Sequence, residues 1–170
     1  HPNILPVRDI FEVDGTLVLV LPLVEGPSLD ALLRHHRLDE AGAVGLLAAI
    51  VEGVQHAHSY GLIHRDLKPA NVLIEEQRGR IVPRVADFGL VKALAEEGET
   101  RSGVMMGTPR YAAPEQLLDA AATDIRADLY SLGVLFVEML TGANPFPRGS
   151  LADLMRAQED GPDLSLVSPR

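Results

Sequence analysis

The chain has 170 residues, 46% of them apolar, which is enough to bury the core of one domain or of a large part of one. Its 15 basic and 24 acidic residues leave a formal charge of −9, which argues against sequence-independent attraction to nucleic acid or to an anionic membrane, so any phosphate must be held locally. The absence of cysteine excludes disulfides and thiolate metal sites, and the longest apolar runs, "TLVLVLPLV" and "LYSLGVLFVEML", are shorter than the ~18 residues a membrane span needs. No signal peptide is visible and the first residue is His1. The sequence therefore reads as a piece of a longer cytoplasmic protein, with any membrane anchor placed outside this segment.

In chain order, "VRDIFEVDGTLVLVLPLV" holds two β-rich runs around Asp14-Gly15, a pair that marks a tight hairpin turn. "SLDALLRHH" places Leu29, Leu32 and Leu33 at helical spacing behind the N-cap candidate Ser28. "LDEAGAVGLLAAIVEGVQHAHSYG" starts at a second cap candidate, Asp39, keeps an apolar helical face and stops at Gly61. The runs "NVLI" and "IVPRVA" predict a hairpin around the turn-rich "EEQRGR", and "ALAEEGETRSGVMMGT" predicts a loop. From Asp124 to Gly142 the chain is apolar around most of a helical circumference and predicts a buried helix; "SLADLMRAQE" predicts a short one. His56 and His58 form an H-x-H pair, but two residues apart on a helix they do not share a face, which disfavours zinc.

Between the long helix and the second hairpin lies "IHRDLKPANVLI", a cluster of acid, bases and amide. Sixteen residues after Asn71 comes Asp87-Phe88-Gly89, so two acids and an amide emerge from neighbouring loops. Phosphoryl transfer needs such a set: Mg²⁺ takes hard oxygen ligands and binds substrate phosphates, and Asn71 and Asp87 can supply those oxygens. Asp66 would orient and accept the proton of an attacking hydroxyl, and Lys68 would bring a positive charge to the transferred group.

"HRDLKPAN", "DFG" and "GTPRYAAPE", in this order and spacing, resemble the eukaryotic-like (Hanks-type) serine/threonine protein kinases, including their bacterial members. "HPNIL" resembles the segment before strand 4 of that family, and "DLYSLGVLFVEMLTGANPF" its buried helix F. The resemblance implies an α+β, protein-kinase-like fold, truncated at both ends. Residues 1–24 would be the last strands of the small lobe and the hinge, and residues 25–170 an incomplete, mostly helical large lobe. It implies ATP as substrate, Mg²⁺ (or Mn²⁺) as cofactor and serine or threonine hydroxyls of proteins as acceptors.

By the same resemblance Asp66 is the catalytic aspartate, Asn71 and Asp87 hold the metal, Lys68 contacts the γ-phosphate and Thr108 shapes the floor around Asp66 and Lys68. Leu21 falls at the gatekeeper, Leu23 and Val24 in the hinge, and Leu73 beneath the adenine; Pro22 departs from the glutamate common in relatives. Arg65 would pair with a phosphate on Thr100 or Ser102, seven and five residues before Gly107. His64, Phe88, Gly89, Glu115 and Asp128 match structural positions, Asp128 as the anchor of the catalytic-loop backbone.

The family's glycine-rich loop, strand lysine and helix-C glutamate are not among these residues, so the segment alone is expected not to be an active kinase. Two other readings stay open: a noncatalytic pseudokinase-type binding module, and a small-molecule phosphotransferase, against which "GTPRYAAPE" speaks.

Overall fold

The computed structural model describes residues 1–88, 109–118 and 123–167. The expectations placed on Gly89, Thr100, Ser102 and Thr108, and on the loop 93–108, lie outside the described residues.

The first hairpin forms as its turn pair predicts. Strands β1 (Asp9–Val13) and β2 (Thr16–Val20) pair antiparallel from Asp9↔Val20 to Val13↔Thr16. Asp14 and Gly15 both take positive φ, 50° and 75°, as a two-residue hairpin turn requires. Its apolar side chains Ile10, Phe11, Val13 and Leu17 remain 42–51% exposed.

Helix α1 (Leu29–His35) is capped by Ser28, whose hydroxyl accepts the Ala31 N–H at 3.2 Å. Helix α2 (Glu40–Ser59) is capped by the Asp39 carboxylate and buries Ala43, Leu46, Ile50, Val54 and Ala57, one stripe at helical spacing. It stops because Gly61 turns left-handed at φ 74°: the Gly61 N–H donates to the His58 carbonyl and the Leu62 N–H to that of Ala57. The chain is thereby turned back toward the core just before "IHRDLKPAN".

Strands β3 (Val72–Gln77) and β4 (Arg80–Val85) form a second antiparallel sheet, in register from Val72↔Val85 to Gln77↔Arg80. Strand β3 runs three residues beyond the "NVLI" of the sequence, and β4 begins one residue before "IVPRVA". Only Arg78-Gly79, at φ 53° and 75°, forms the turn, and Glu75 is held inside the ladder by Arg84, whose Nε donates to its carboxylate at 2.7 Å.

A 3₁₀ turn (Pro109–Tyr111) leads into the short helix α3 (Pro114–Leu118). Helix α4 (Ile125–Thr141) starts at the Asp124 cap and ends at Gly142. Helix α5 (Leu151–Asp160) begins with a capping box between Ser150 and Asp153, and a final 3₁₀ turn spans Leu164–Val167. Helix α4 is not buried all round. Ala127, Asp128, Leu132, Leu135 and Met139 face inward, but Ile125 and Leu129 are 47% and 56% exposed, because α2 and the loop after it cover only one side.

The core lies where α2, α4 and the β3–β4 hairpin meet, with Ile50, Val72, Val85 and Leu135 fully buried. Leu67, from the middle of the polar loop, is fully buried in the same core. Its burial is worth about 1.5–3 kcal/mol and pins a loop that is otherwise polar.

Candidate active site

The loop of residues 63–71 is held from behind by Asp128. This carboxylate, fully buried at the start of α4, accepts the His64 N–H (2.9 Å) on Oδ2, the Arg65 N–H (2.9 Å) on Oδ1, and lies 2.7 Å from His58 Nε2. A buried carboxylate is tolerated where donors surround it, and these three do so. Two of them are consecutive backbone N–H groups, which only a folded-back chain can aim at one acceptor. Arg65 supplies that fold with φ 65°, a left-handed conformation costing a non-glycine residue about 1–2 kcal/mol.

His64 joins this loop to the next. Its Nε2 lies 2.9 Å from the Ala86 carbonyl, which can only accept, so Nε2 carries the proton and Nδ1 accepts the Asp66 N–H at 3.2 Å. Burial holds its pKa below the ordinary histidine value, only partly opposed by the Ala86 carbonyl and the carboxylates of Asp128 and Asp66. The neutral ring is what this bonding needs. Phe88 packs on it with ring centroids 4.7 Å apart.

The second tie is the hairpin itself. Beyond the last ladder pair, Val72↔Val85, the Ala86 N–H still donates to the Asn71 carbonyl at 2.8 Å. Asn71 and the residue just before Asp87 are therefore bonded neighbours, and the two loops of the sequence reading meet at the hairpin base. Asp87 leaves it at φ 57° with an exposed side chain.

Within the cluster, Lys68 Nζ donates to Asp66 Oδ2 at 2.7 Å, and Asn71 Nδ2 donates to the Asp66 carbonyl (2.8 Å) and to the same Oδ2 (3.2 Å). The Asn71 amide thus turns its N–H₂ end to Asp66, which leaves Oδ1 as its acceptor end. Asn71 Oδ1 and the Asp87 carboxylate are hard oxygen donors that could serve one cation as a two-oxygen set. That set fits Mg²⁺, which is held by few protein ligands and completes its shell with phosphate and water. It is too small to cage a cation alone. The Lys68–Asp66 pair is open to solvent, with side chains 30% and 45% exposed, so it contributes at most ~1 kcal/mol and an incoming phosphate can replace it.

Other predicted residues fall around this centre. Leu73, half-buried on β3, bridges to Ser28, so the segment carrying Val24 runs against the hairpin. Val24 is half-buried, whereas Leu21 and Leu23 are 38% and 88% exposed. Glu115 is half-buried on α3.

Two residues escaped the sequence reading. His58, considered only for zinc, bonds Asp128, while His56 points elsewhere and lies between the rings of His1 and Tyr60, tilted to both. Gln116 donates from Nε2 to the Arg65 carbonyl at 2.9 Å and accepts the Ala113 N–H at 3.0 Å. Its place directly after the "APE" tripeptide was the one available signal.

The profile of the family described as protein kinase domain matches residues 1–164. "Serine/threonine-protein kinase PkaA" of Streptomyces coelicolor is 38% identical over 156 residues, 91% of this chain and 28% of that protein. "Serine/threonine-protein kinase PknL" of Mycobacterium tuberculosis is 41% identical over 152 residues, 88% of this chain and 37% of that protein. The chain thus spans well under half the length of such relatives, 26–37% in these cases. Among solved structures, the crystal structure of Rad53 1-466 in complex with AMP-PNP aligns with a TM-score of 0.80 at 27% identity, over 98% of this chain and 41% of that one. With the end of "HRDLKPAN" and the start of Asp87-Phe88 joined at one hairpin base and the family profile matched over residues 1–164 of the chain, the chain belongs to the protein kinase domain family and has its α+β fold.

Proposed function

We propose that the protein is a serine/threonine protein kinase that transfers the γ-phosphate of ATP to serine and threonine hydroxyls of proteins, residues 1–24 being the end of the small lobe and the hinge and residues 25–170 large lobe. The observation that carries this reading is the bonding around Asp66: one carboxylate oxygen is taken by Lys68 and Asn71, and the other, Oδ1, takes neither bond. Oδ1 is the atom that would receive an acceptor hydroxyl. A carboxylate is a weak base for an alcohol, so its main contribution is orientation of that hydroxyl, with the proton accepted as the new ester forms. Lys68 would leave Asp66 for the transferred group, where its charge offsets the charge gathering on the phosphoryl oxygens.

Asn71 Oδ1 and the Asp87 carboxylate would hold magnesium, or manganese in its place, and the ion when bound neutralises phosphate charge. Leu73 would support the adenine ring, with Leu21 as gatekeeper and the backbone of Leu23 and Val24 as its hydrogen-bonding edge. Thr108 would stand beside Asp66 and Lys68, and Arg65 would pair with phosphate on Thr100 or Ser102. Cytoplasmic action and the lack of a nucleic-acid partner are parts of the same proposal; the −9 charge disfavours attraction to nucleic acid, and a chain without cysteine is compatible with a reducing compartment.

The test separates this reading from its rivals. The full-length gene product is given radiolabelled ATP and magnesium with either a protein acceptor or a panel of aminoglycosides. Label in phosphoserine or phosphothreonine of the protein supports the proposal. Label in the small molecules alone would assign a small-molecule phosphotransferase, and ATP binding without transfer to either would assign a binding module.

A further inference from the structure

Gln116 stands outside every motif used above, yet its side-chain amide is bonded at both ends, to the Arg65 carbonyl and to the Ala113 N–H. The Arg65 carbonyl and the Asp66 N–H belong to one peptide group. The Asp66 N–H is taken by His64 Nδ1 at 3.2 Å and the Arg65 carbonyl by Gln116 at 2.9 Å, so both polar atoms of the plane that leads into Asp66 are fixed. Arg65, on the other side of that carbonyl, is left-handed at φ 65°, a conformation that persists only while its neighbours hold it. Asp128 and His64 hold it from the core; Gln116 holds it from the opposite segment.

That segment is itself anchored. Ser131 Oγ donates to the Tyr111 carbonyl at 2.7 Å, the Tyr111 hydroxyl donates to Glu138 Oε2, and Gln158 Nε2 donates to the Ala112 carbonyl at 2.8 Å. The 3₁₀ turn and Ala113 are thus fastened to α4 and α5. Gln116 carries this placement across 51 residues of sequence to the peptide before Asp66.

We propose that Gln116 is a positioning residue: through the Arg65 carbonyl it sets the plane from which the Asp66 carboxylate projects, and through the Ala113 N–H it makes that setting depend on the seating of residues 109–113. The proposal rests on the phosphoryl-transfer reading of Asp66. Gln116 is given no contact with substrate, so its effect falls on kcat and not on KM. A purely structural role is the obvious rival, since the Ala113 bond is one half of a capping box at the start of α3. A carboxylate would serve that cap as well as the amide and suits the positive end of a helix.

Gln116→Glu separates the two roles, because it keeps the oxygen that caps Ala113 and removes the donor to Arg65. In the full-length gene product, with magnesium-ATP and a protein acceptor, it should lower kcat about tenfold, the scale of one lost hydrogen bond, with both KM values near wild type and the melting temperature lowered less than in Gln116→Met, which loses the Ala113 cap as well. Gln116→Met, uncharged and of similar length, should lower kcat at least as far and the melting temperature as well. Wild-type kcat in Gln116→Glu would overturn the proposal, and so would a loss in Gln116→Glu absent from Gln116→Met, which would trace the effect to the new charge. Amide exchange at Asp66, read by NMR, should be faster in Gln116→Glu, and an unchanged rate would also overturn it. If exchange quickens while the wild-type protein shows no Asp66-dependent transfer, the clamp stands and the kinase reading fails.

Discussion

Replacing Asp128 by Asn changes one atom and tests the scaffold under the site. Oδ1 accepts from Arg65, and Oδ2 accepts from His64 and lies at 2.7 Å from His58. Whichever way the new amide turns, its N–H₂ end faces at least one buried backbone N–H that has lost its acceptor. An orphaned buried donor costs about 1–3 kcal/mol, and the remaining bonds lose the roughly twofold strength that charge gives them. Asp128→Asn should therefore cost about 2–4 kcal/mol, a large part of a domain stability of about 5–15 kcal/mol, and Asp128→Ala about 3–5 kcal/mol. Arg65 would relax from its left-handed conformation and carry Asp66 with it, and a displacement of about 1 Å at a reacting group costs on the order of 10²-fold in rate. The assay is urea unfolding of the full-length gene product beside its phosphotransfer rate, with the denaturant slope checked to be unchanged. A cost below about 0.5 kcal/mol together with wild-type turnover would refute the reasoning, since surface positions without a role behave that way.

Asp87→Ala should abolish magnesium-dependent strengthening of nucleotide binding while leaving the fold intact, as titration with and without the metal would read; an unchanged metal dependence would remove Asp87 from the donor set. Because His64 is held neutral below its ordinary value of 6.5, its contribution is complete above that pH, where folded and unfolded chains both hold the ring unprotonated. As pH falls below 6.5 only the unfolded chain takes up the proton, so stability declines by at most ~1.4 kcal/mol per pH unit, a slope that urea midpoints between about pH 5 and 8 should show and His64→Gln should lack. Gly26→Ala should destabilise the protein by about 1–3 kcal/mol or more and weaken nucleotide binding, because the added Cβ would lie 1.9 Å from the Ile74 carbonyl oxygen and push the 24–28 segment off β3; melting temperature and ATP titration report both effects.

The parts legible in the sequence are those fixed by short-range rules. Ser28 and Asp39 cap the helices they were expected to cap, and Asp14-Gly15 forms its turn, because each needs only the next few residues. That Asn71 and Asp87 emerge from neighbouring loops was legible through hairpin logic, since any hairpin around "EEQRGR" returns β4 alongside β3 and brings their outer ends together, where Asn71 bonds Ala86. Lengths were harder to read: Glu75, Glu76 and Gln77 look like turn residues, and their strand pairing depends on partners such as Arg84. His58 and Gln116 were illegible for a further reason. Their partners stand 70 and 51 residues away, and nothing local distinguishes a histidine that bonds a buried aspartate from one, like His56, that lies exposed beside Tyr60. The exposure of Leu129 depended on which side of α4 the rest of the chain covers, a tertiary fact that helical periodicity does not contain.

The most direct measurement is mass-spectrometric mapping of the full-length gene product after incubation with magnesium-ATP, wild type beside Asp66→Asn. Phosphate esters on serine or threonine, Thr100 or Ser102 among them, are expected in the wild type. In Asp66→Asn they should accumulate more slowly by roughly 10²–10⁴, with ATP affinity little changed. Equal phosphorylation of the two proteins would contradict the role given to Asp66, and with it the kinase reading of the site.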